Sequence, residues 1–158
     1  MELSKETINL SVGVRILDRD HQEMAETIHE LKAAALADQD RSLTVPLLRK
    51  LARFTMNHFA FEEGMMQATR FPGMAVHRLN HLYLLGELGT LISHHAKGDL
   101  PLDPHSLGFL SEWHSNHIHS DDLHYGLWLN AIGKIYPSKE SWAEAKSLEA
   151  GFASEARS

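Results

Sequence analysis

At 158 residues, with 43% hydrophobic and 23% charged side chains, the chain has the size and composition of one globular domain with a core of its own. Its 15 Lys and Arg against 21 Asp and Glu leave a formal charge of -6, which argues against a phosphate-backbone partner and so against nucleic acid binding. There is no cysteine, which excludes disulfides, thiolate ligands and iron–sulfur clusters and leaves imidazole and carboxylate as the available metal chemistry.

Apolar periodicity predicts four long helices. The first runs from about Asp18 to Ala37, with Leu17, Met24, Ile28, Leu31 and Leu36 near one stripe, and stops at Asp38-Gln39-Asp40-Arg41. The second starts near Thr44, with Pro46 at an early helical position, and continues through Leu47, Leu48, Leu51, Phe54, Met56 and Phe59 to about Thr69. Phe71-Pro72-Gly73 is a turn signal, and a third helix fits from about Met74 to Lys97. After the connection Gly98 to Pro104, a fourth is expected from about His105 to Ile135, closed by Tyr136-Pro137-Ser138. Ser141 to Ala150 reads as a short helix before a frayed end. No strand-like alternation or internal repeat competes with this plan, and short connections favour antiparallel neighbours. The expected fold is therefore all-α, an up-down-up-down four-helix bundle over residues 1–136 with an N-terminal arm, followed by a short C-terminal helix or tail over 137–158. Glu87 interrupts the most apolar run, Leu82 to Ile92, and the first six residues carry no signal-peptide core. No membrane partner is expected, and the location is read as cytoplasmic.

The 12 histidines carry the functional signal. Residues four apart on a helix differ by about 40° in projection and share a face. His58 with Glu62, and His77 with His81, each offer two donors to one point on consecutive helices, and His21 and His117 stand on the outer two. Phe54, Phe59, Phe61, Leu84 and Ile118 make these faces core-facing, where unpaired imidazole and carboxylate are costly. A pair of transition-metal ions accounts for them. The acid after His117 is ambiguous, because Asp121 shares its face in a regular helix while Asp122 is turned away by about 140°. A π-bulge would bring Asp122 around instead, and spacing does not decide between them.

These residues occur in a longer pattern: Leu17-Asp18-x-x-His21, His58-Phe59-x-x-Glu62-Glu63-x-x-Met66, Phe71-Pro72, His77-x-x-x-His81, and Trp113-x-x-x-His117-Ile118-x-x-x-Asp122-x-x-Tyr125. The pattern resembles the hemerythrin family, specifically its single-domain bacterial members, over about residues 12 to 130. The resemblance implies a left-handed bundle around a non-heme di-iron centre with an oxo or hydroxo bridge. It implies that His77, His81 and His117 bind one iron, that His21 and His58 bind the other, and that Glu62 and Asp122 bridge both. It further implies reversible binding of dioxygen, as hydroperoxide, at the iron with fewer ligands. One position departs: His114 stands where the family usually has an apolar residue bordering the oxygen pocket, with Trp113 and Ile118 beside it.

The leading functional reading is an oxygen-binding protein for storage, delivery or scavenging, with dioxygen as its partner and no protein partner identified. The alternatives are a di-iron redox enzyme acting on peroxide or nitric oxide, or an oxygen or redox sensor, with His114 altering the pocket. His29, His94, His95 and His105 are expected to be solvated, and His119 and His124 to face away from the ligand side. Glu63 is expected outside the metal ligands, Met24, Met56, Met65 and Met66 to fill core, and Tyr125 to close a hydrogen-bond network.

Overall fold

The structure, a computed structural model, describes residues 9–37, 40–134, 136 and 138–155; the part of the expected N-terminal arm at 1–8 lies outside them. α1 (Arg15–Leu36), α2 (Arg41–Thr69) and α3 (Met74–Lys97) are followed by α4 (Pro104–His117), a π-helical turn (Ile118–Asp122) and α5 (Leu123–Ala131). The last three run on without a break and together form the fourth rod of the bundle. α6 (Lys139–Glu155) follows. No helix among the described residues is long and apolar enough to cross a membrane.

Local chemistry explains where the helices differ from their predicted bounds. α2 begins at Arg41 rather than Thr44 because Asp40 caps it, accepting from the Ser42 amide at 2.7 Å and from its hydroxyl. α1 begins at Arg15 without a side-chain cap. Asp18, near the predicted start, instead ties down the preceding arm, accepting from the Val12 amide at 2.7 Å and from Ser11 Oγ at 2.8 Å. The fourth rod ends at Ala131 rather than Ile135 because Gly133 takes φ 70°, and the Gly133 and Lys134 amides close the turn on Asn130 and Leu129 carbonyls.

Side-chain register makes successive helices antiparallel. Glu30 meets Lys50, Met24 meets Thr55 and Asp20 meets His58, so α1 and α2 run in opposite directions. Glu63 with His81, and Thr44 with His95, do the same for α2 and α3. Asn80 with Asp121 brings the fourth rod against α3, and His21 with Asp122 closes it onto α1.

The core divides into two apolar clusters. One contains Leu17, Met65, Met66, Phe71, Ile118, Tyr125 and Leu129, and the other Met24, Ile28, Leu31, Leu48, Leu51, Leu88, Leu107 and Leu110. Leu36 and Met56, both expected in the core, are 65% and 55% exposed. α6 is longer than the predicted Ser141 to Ala150, and Trp142 packs edge-on to Tyr136 and Phe61 in the first cluster.

The arm approaches the fourth rod most closely at Gly126, where an added Cβ would lie 2.2 Å from the Val12 carbonyl oxygen. Gly126→Ala is expected to destabilise the fold by about 1–3 kcal/mol through this clash with backbone. Gly89→Ala, where a Cβ meets nothing within 4 Å, is expected to stabilise it by about 0.5–1 kcal/mol. Urea unfolding of the two variants measures both.

Candidate metal centre

A polar layer separates the two apolar clusters. His21, His58, Glu62, His77, His81, His114, His117 and Asp122 are all at most 7% exposed. Each long helix contributes to this layer between its two apolar stretches, as α1 does with His21 between Leu17 and Met24.

The inward atoms converge without satisfying one another. Nε2 of His21, His58 and His77, and all four carboxylate oxygens of Glu62 and Asp122, are buried and make no hydrogen bond. They are nevertheless close: Asp122 Oδ1 lies 3.0 Å from both His77 Nε2 and His117 Nε2, and Oδ2 lies 3.0 Å from His21 Nε2. Glu62 Oε2 lies 3.3 Å from Nε2 of both His77 and His81. Buried polar atoms left unpaired cost about 1–3 kcal/mol each, so this layer has a strong need for cations.

The outward nitrogens fix which ring atom faces in. Nδ1 of His58 lies 3.2 Å from Asp20, that of His81 3.0 Å from Glu63, that of His117 3.0 Å from Asp121, and that of His21 3.2 Å from the Leu10 carbonyl. Each acceptor holds a proton on Nδ1 and leaves the Nε2 lone pair pointing inward. His81 Nε2 and His117 Nε2 face each other at 3.1 Å. Two lone pairs at that distance repel unless a cation or proton lies between them.

Two ligand groups result. Glu62, His77, His81, His117 and Asp122 form one, and His21, His58 and Asp122 the other, each with ligand atoms within 4.8 Å of one another. Asp122 is common to both, with one oxygen turned to each. Imidazole with carboxylate, and no thiolate, suits iron, and the residues fit a cationic metal pair. The π-helical turn Ile118–Asp122 resolves the spacing ambiguity, because its wider winding rotates Asp122 into the layer. Asp121 is left on the outside, where it accepts from His117 and from Asn80 at 3.0 Å.

The family model for the hemerythrin HHE cation binding domain matches residues 12–129. The chain belongs to the hemerythrin family. It is 27% identical over 117 residues to a bacteriohemerythrin of Stenotrophomonas maltophilia, covering 74% of this chain and 75% of that one. It is 32% identical over 114 residues to a myohemerythrin of Riftia pachyptila, covering 69% and 79%, and 28% identical over 117 residues to a myohemerythrin of Sipunculus nudus, covering 74% and 86%. No solved structure matches with comparable significance.

Other residues take defined places around this hemerythrin-family centre. His114 is 6% exposed, its Nε2 has no hydrogen bond, and its ring is edge-on to His21 at 6.5 Å. Burial, reinforced by the neighbouring His21, pushes its pKa down to about 3, so it is a neutral imidazole. Trp113 and Ile118 are buried beside it, and Phe59 stacks on His81 at 3.7 Å. His95, expected to be solvated, is buried at the other end of the bundle, bonded to Thr44 Oγ1 at 2.8 Å and the Leu100 carbonyl at 2.9 Å. Tyr125 meets Thr69 Oγ1 at 3.2 Å. Sequence reading missed Asp20 and gave Glu63 and Asp121 no specific partner, although each stands next to a ligand in the chain.

Protons substitute for cations in the metal-free layer. Burial lowers the pKa of His77 and His117, but Asp122 and Glu62, joined at His117 by Asp121, outweigh it and raise them to about 9 and about 10. The stability these protons supply is complete below the unfolded histidine value of about 6.5 and is lost as pH rises through about 9–10. The melting temperature of metal-free protein is therefore expected to fall between pH 6.5 and 10, while that of metal-loaded protein changes less; calorimetry of both forms measures the difference.

Proposed function

We propose that His77, His81 and His117 hold one iron ion, that His21 and His58 hold a second, and that Asp122 and Glu62 bridge them, in a hemerythrin-family protein that binds dioxygen reversibly for storage, delivery or scavenging. The protein is a non-heme di-iron oxygen-binding protein by its family. The carrying observation is Asp122, whose two buried oxygens each face a different group of imidazole nitrogens at 3.0 Å. When bound, the iron pair would supply the two electrons that dioxygen binding requires.

The chain's own residues orient and enclose that chemistry. Asp20, Glu63 and Asp121 hold the Nδ1 protons of His58, His81 and His117 and keep their rings in register. Phe59 covers the face of His81, and Ile118 and Trp113 keep the layer apart from water. The group with His21 and His58 has fewer ligands than its neighbour, which supports it as the end where dioxygen enters. We assign His114, with Trp113 and Ile118, to the border of that pocket. A neutral imidazole there offers one N–H to a bound diatomic molecule. Five imidazoles and two carboxylates give few anionic oxygen ligands of the kind that stabilise high-valent iron, which favours carrying oxygen over oxidising with it. We read residues 1–136 as this bundle and 137–158 as an appended segment, in a cytoplasmic protein.

Anaerobically reduced protein with quantified iron is expected to contain two irons per chain and to develop an absorption band with O2 that disappears on degassing. Fewer irons, or a band that does not reverse, would overturn the reading. Asp122→Asn is expected to abolish the two-iron stoichiometry, whereas Asp121→Asn retains both irons with affinity lowered about 10–100-fold, as equilibrium competition with a chelator would show. His114→Leu is expected to lengthen the lifetime of the oxygen-dependent band. An unchanged lifetime would reduce His114 to a packing residue.

A further inference from the structure

The three carboxylates that hold ligand histidines, Asp20, Glu63 and Asp121, are themselves held from behind. Glu63, behind His81, meets Arg78 Nε at 3.3 Å, and Asp121, behind His117, accepts from Asn80 at 3.0 Å. Asp20, behind His58, accepts from Lys139 Nζ at 3.0 Å. Arg78 and Asn80 belong to α3, one of the helices of the bundle itself. Lys139 is the first residue of α6 and lies beyond the residues 12–129 that the family model covers.

The seat of α6 is built from two kinds of contact. Trp142 is 8% exposed against Phe61 and Tyr136, and Lys139 Nζ lies 5.1 Å from the centre of the Phe61 ring. The apolar anchor thus carries an ammonium group to a carboxylate that is only 6% exposed in its side chain.

We propose that Lys139 is a positioning residue for the metal position formed by His21 and His58, and that docking of α6 tunes that position through Asp20. The proposal rests on the di-iron reading above. A carboxylate that accepts only the His58 proton pulls strongly on Nδ1–H and makes the ring a stronger donor to metal. Lys139 shares the charge of Asp20 and weakens that pull. Lys139 is about half exposed, so solvent screens its own field and the effect passes mainly through the hydrogen-bonded chain. With α6 seated, the reduced metal pair is favoured; with α6 displaced, the oxidised pair is.

The test uses full-length, iron-loaded protein and compares Lys139→Met, Lys139→Arg and Trp142→Ala by redox titration, with hydrogen exchange of the α6 amides in parallel. Lys139→Met is expected to lower the midpoint potential while α6 stays protected. Trp142→Ala is expected to lower it and to lose that protection, and Lys139→Arg to keep the wild-type potential. A potential unmoved in Lys139→Met overturns the proposal and leaves the oxygen-binding reading standing. If the wild-type protein takes up no iron, that reading falls, and the metal-free protein decides the relay by proton NMR. The Nδ1–H resonance of His58, assigned by its loss in His58→Gln, shifts in Lys139→Met if the chain of contacts exists and stays in place if it does not.

Discussion

The fold is organised around a layer of buried imidazole and carboxylate whose inward atoms leave one another without hydrogen bonds. Nε2 of three histidines and both oxygens of Glu62 and of Asp122 lack hydrogen bonds in a region closed to water. Elsewhere in a core such a layer would be removed by selection for stability, because each orphaned atom costs more than a hydrogen bond returns. Its survival requires bound positive charge. That requirement explains why the apolar packing comes in two clusters, one on each side of the layer, and why every long helix changes from apolar to polar and back along its inward face.

Orientation follows from the same constraint. An imidazole can turn either nitrogen inward, and a free ring would exchange between the two. The outer acceptors remove that freedom, since a carboxylate on Nδ1 retains the proton there and commits Nε2 to the interior. The acceptors lie next to ligands in the chain: Asp20 precedes His21, Glu63 follows Glu62 and Asp121 precedes Asp122. Yet none serves the ligand beside it. Asp20 serves His58 and Glu63 serves His81, each across a helix–helix contact, so these outer bonds also pin helix register. Metal binding and bundle geometry thereby become one problem.

Much of this was legible in the sequence because helical period converts spacing into direction. His58/Glu62 and His77/His81 could be placed on inward faces, and the predicted bounds of the third helix coincide with α3. Three features were not legible. The winding of the turn before Asp122 depends on hydrogen bonds that no residue in Ile118-His119-Ser120-Asp121-Asp122 announces, so only the family pattern selected Asp122. His95 reads like any solvent-facing histidine near a helix end until Thr44, 51 positions away, is brought beside it. The contact between Lys139 and Asp20 spans 119 positions and depends on α6 docking through Trp142, which periodicity within α6 cannot reveal.

The π-helical turn shows why two adjacent acids are needed where one might appear sufficient. A regular helix would turn Asp121 to the face of His117 and leave Asp122 about 140° away. The centre would then gain an inward carboxylate but lose the acceptor on His117 Nδ1, and the ring would be free to present either nitrogen. With the wider turn, Asp122 reaches both groups of imidazoles while Asp121, one residue back, holds the His117 proton and is held in turn by Asn80. One local change in winding therefore separates the bridging role from the orienting role and assigns each to its own side chain. The wider turn lies within a rod that is packed by Leu110 on one side of it and Leu129 on the other, both buried. The apolar clusters hold this segment in place from either side, and the segment completes the polar layer between them.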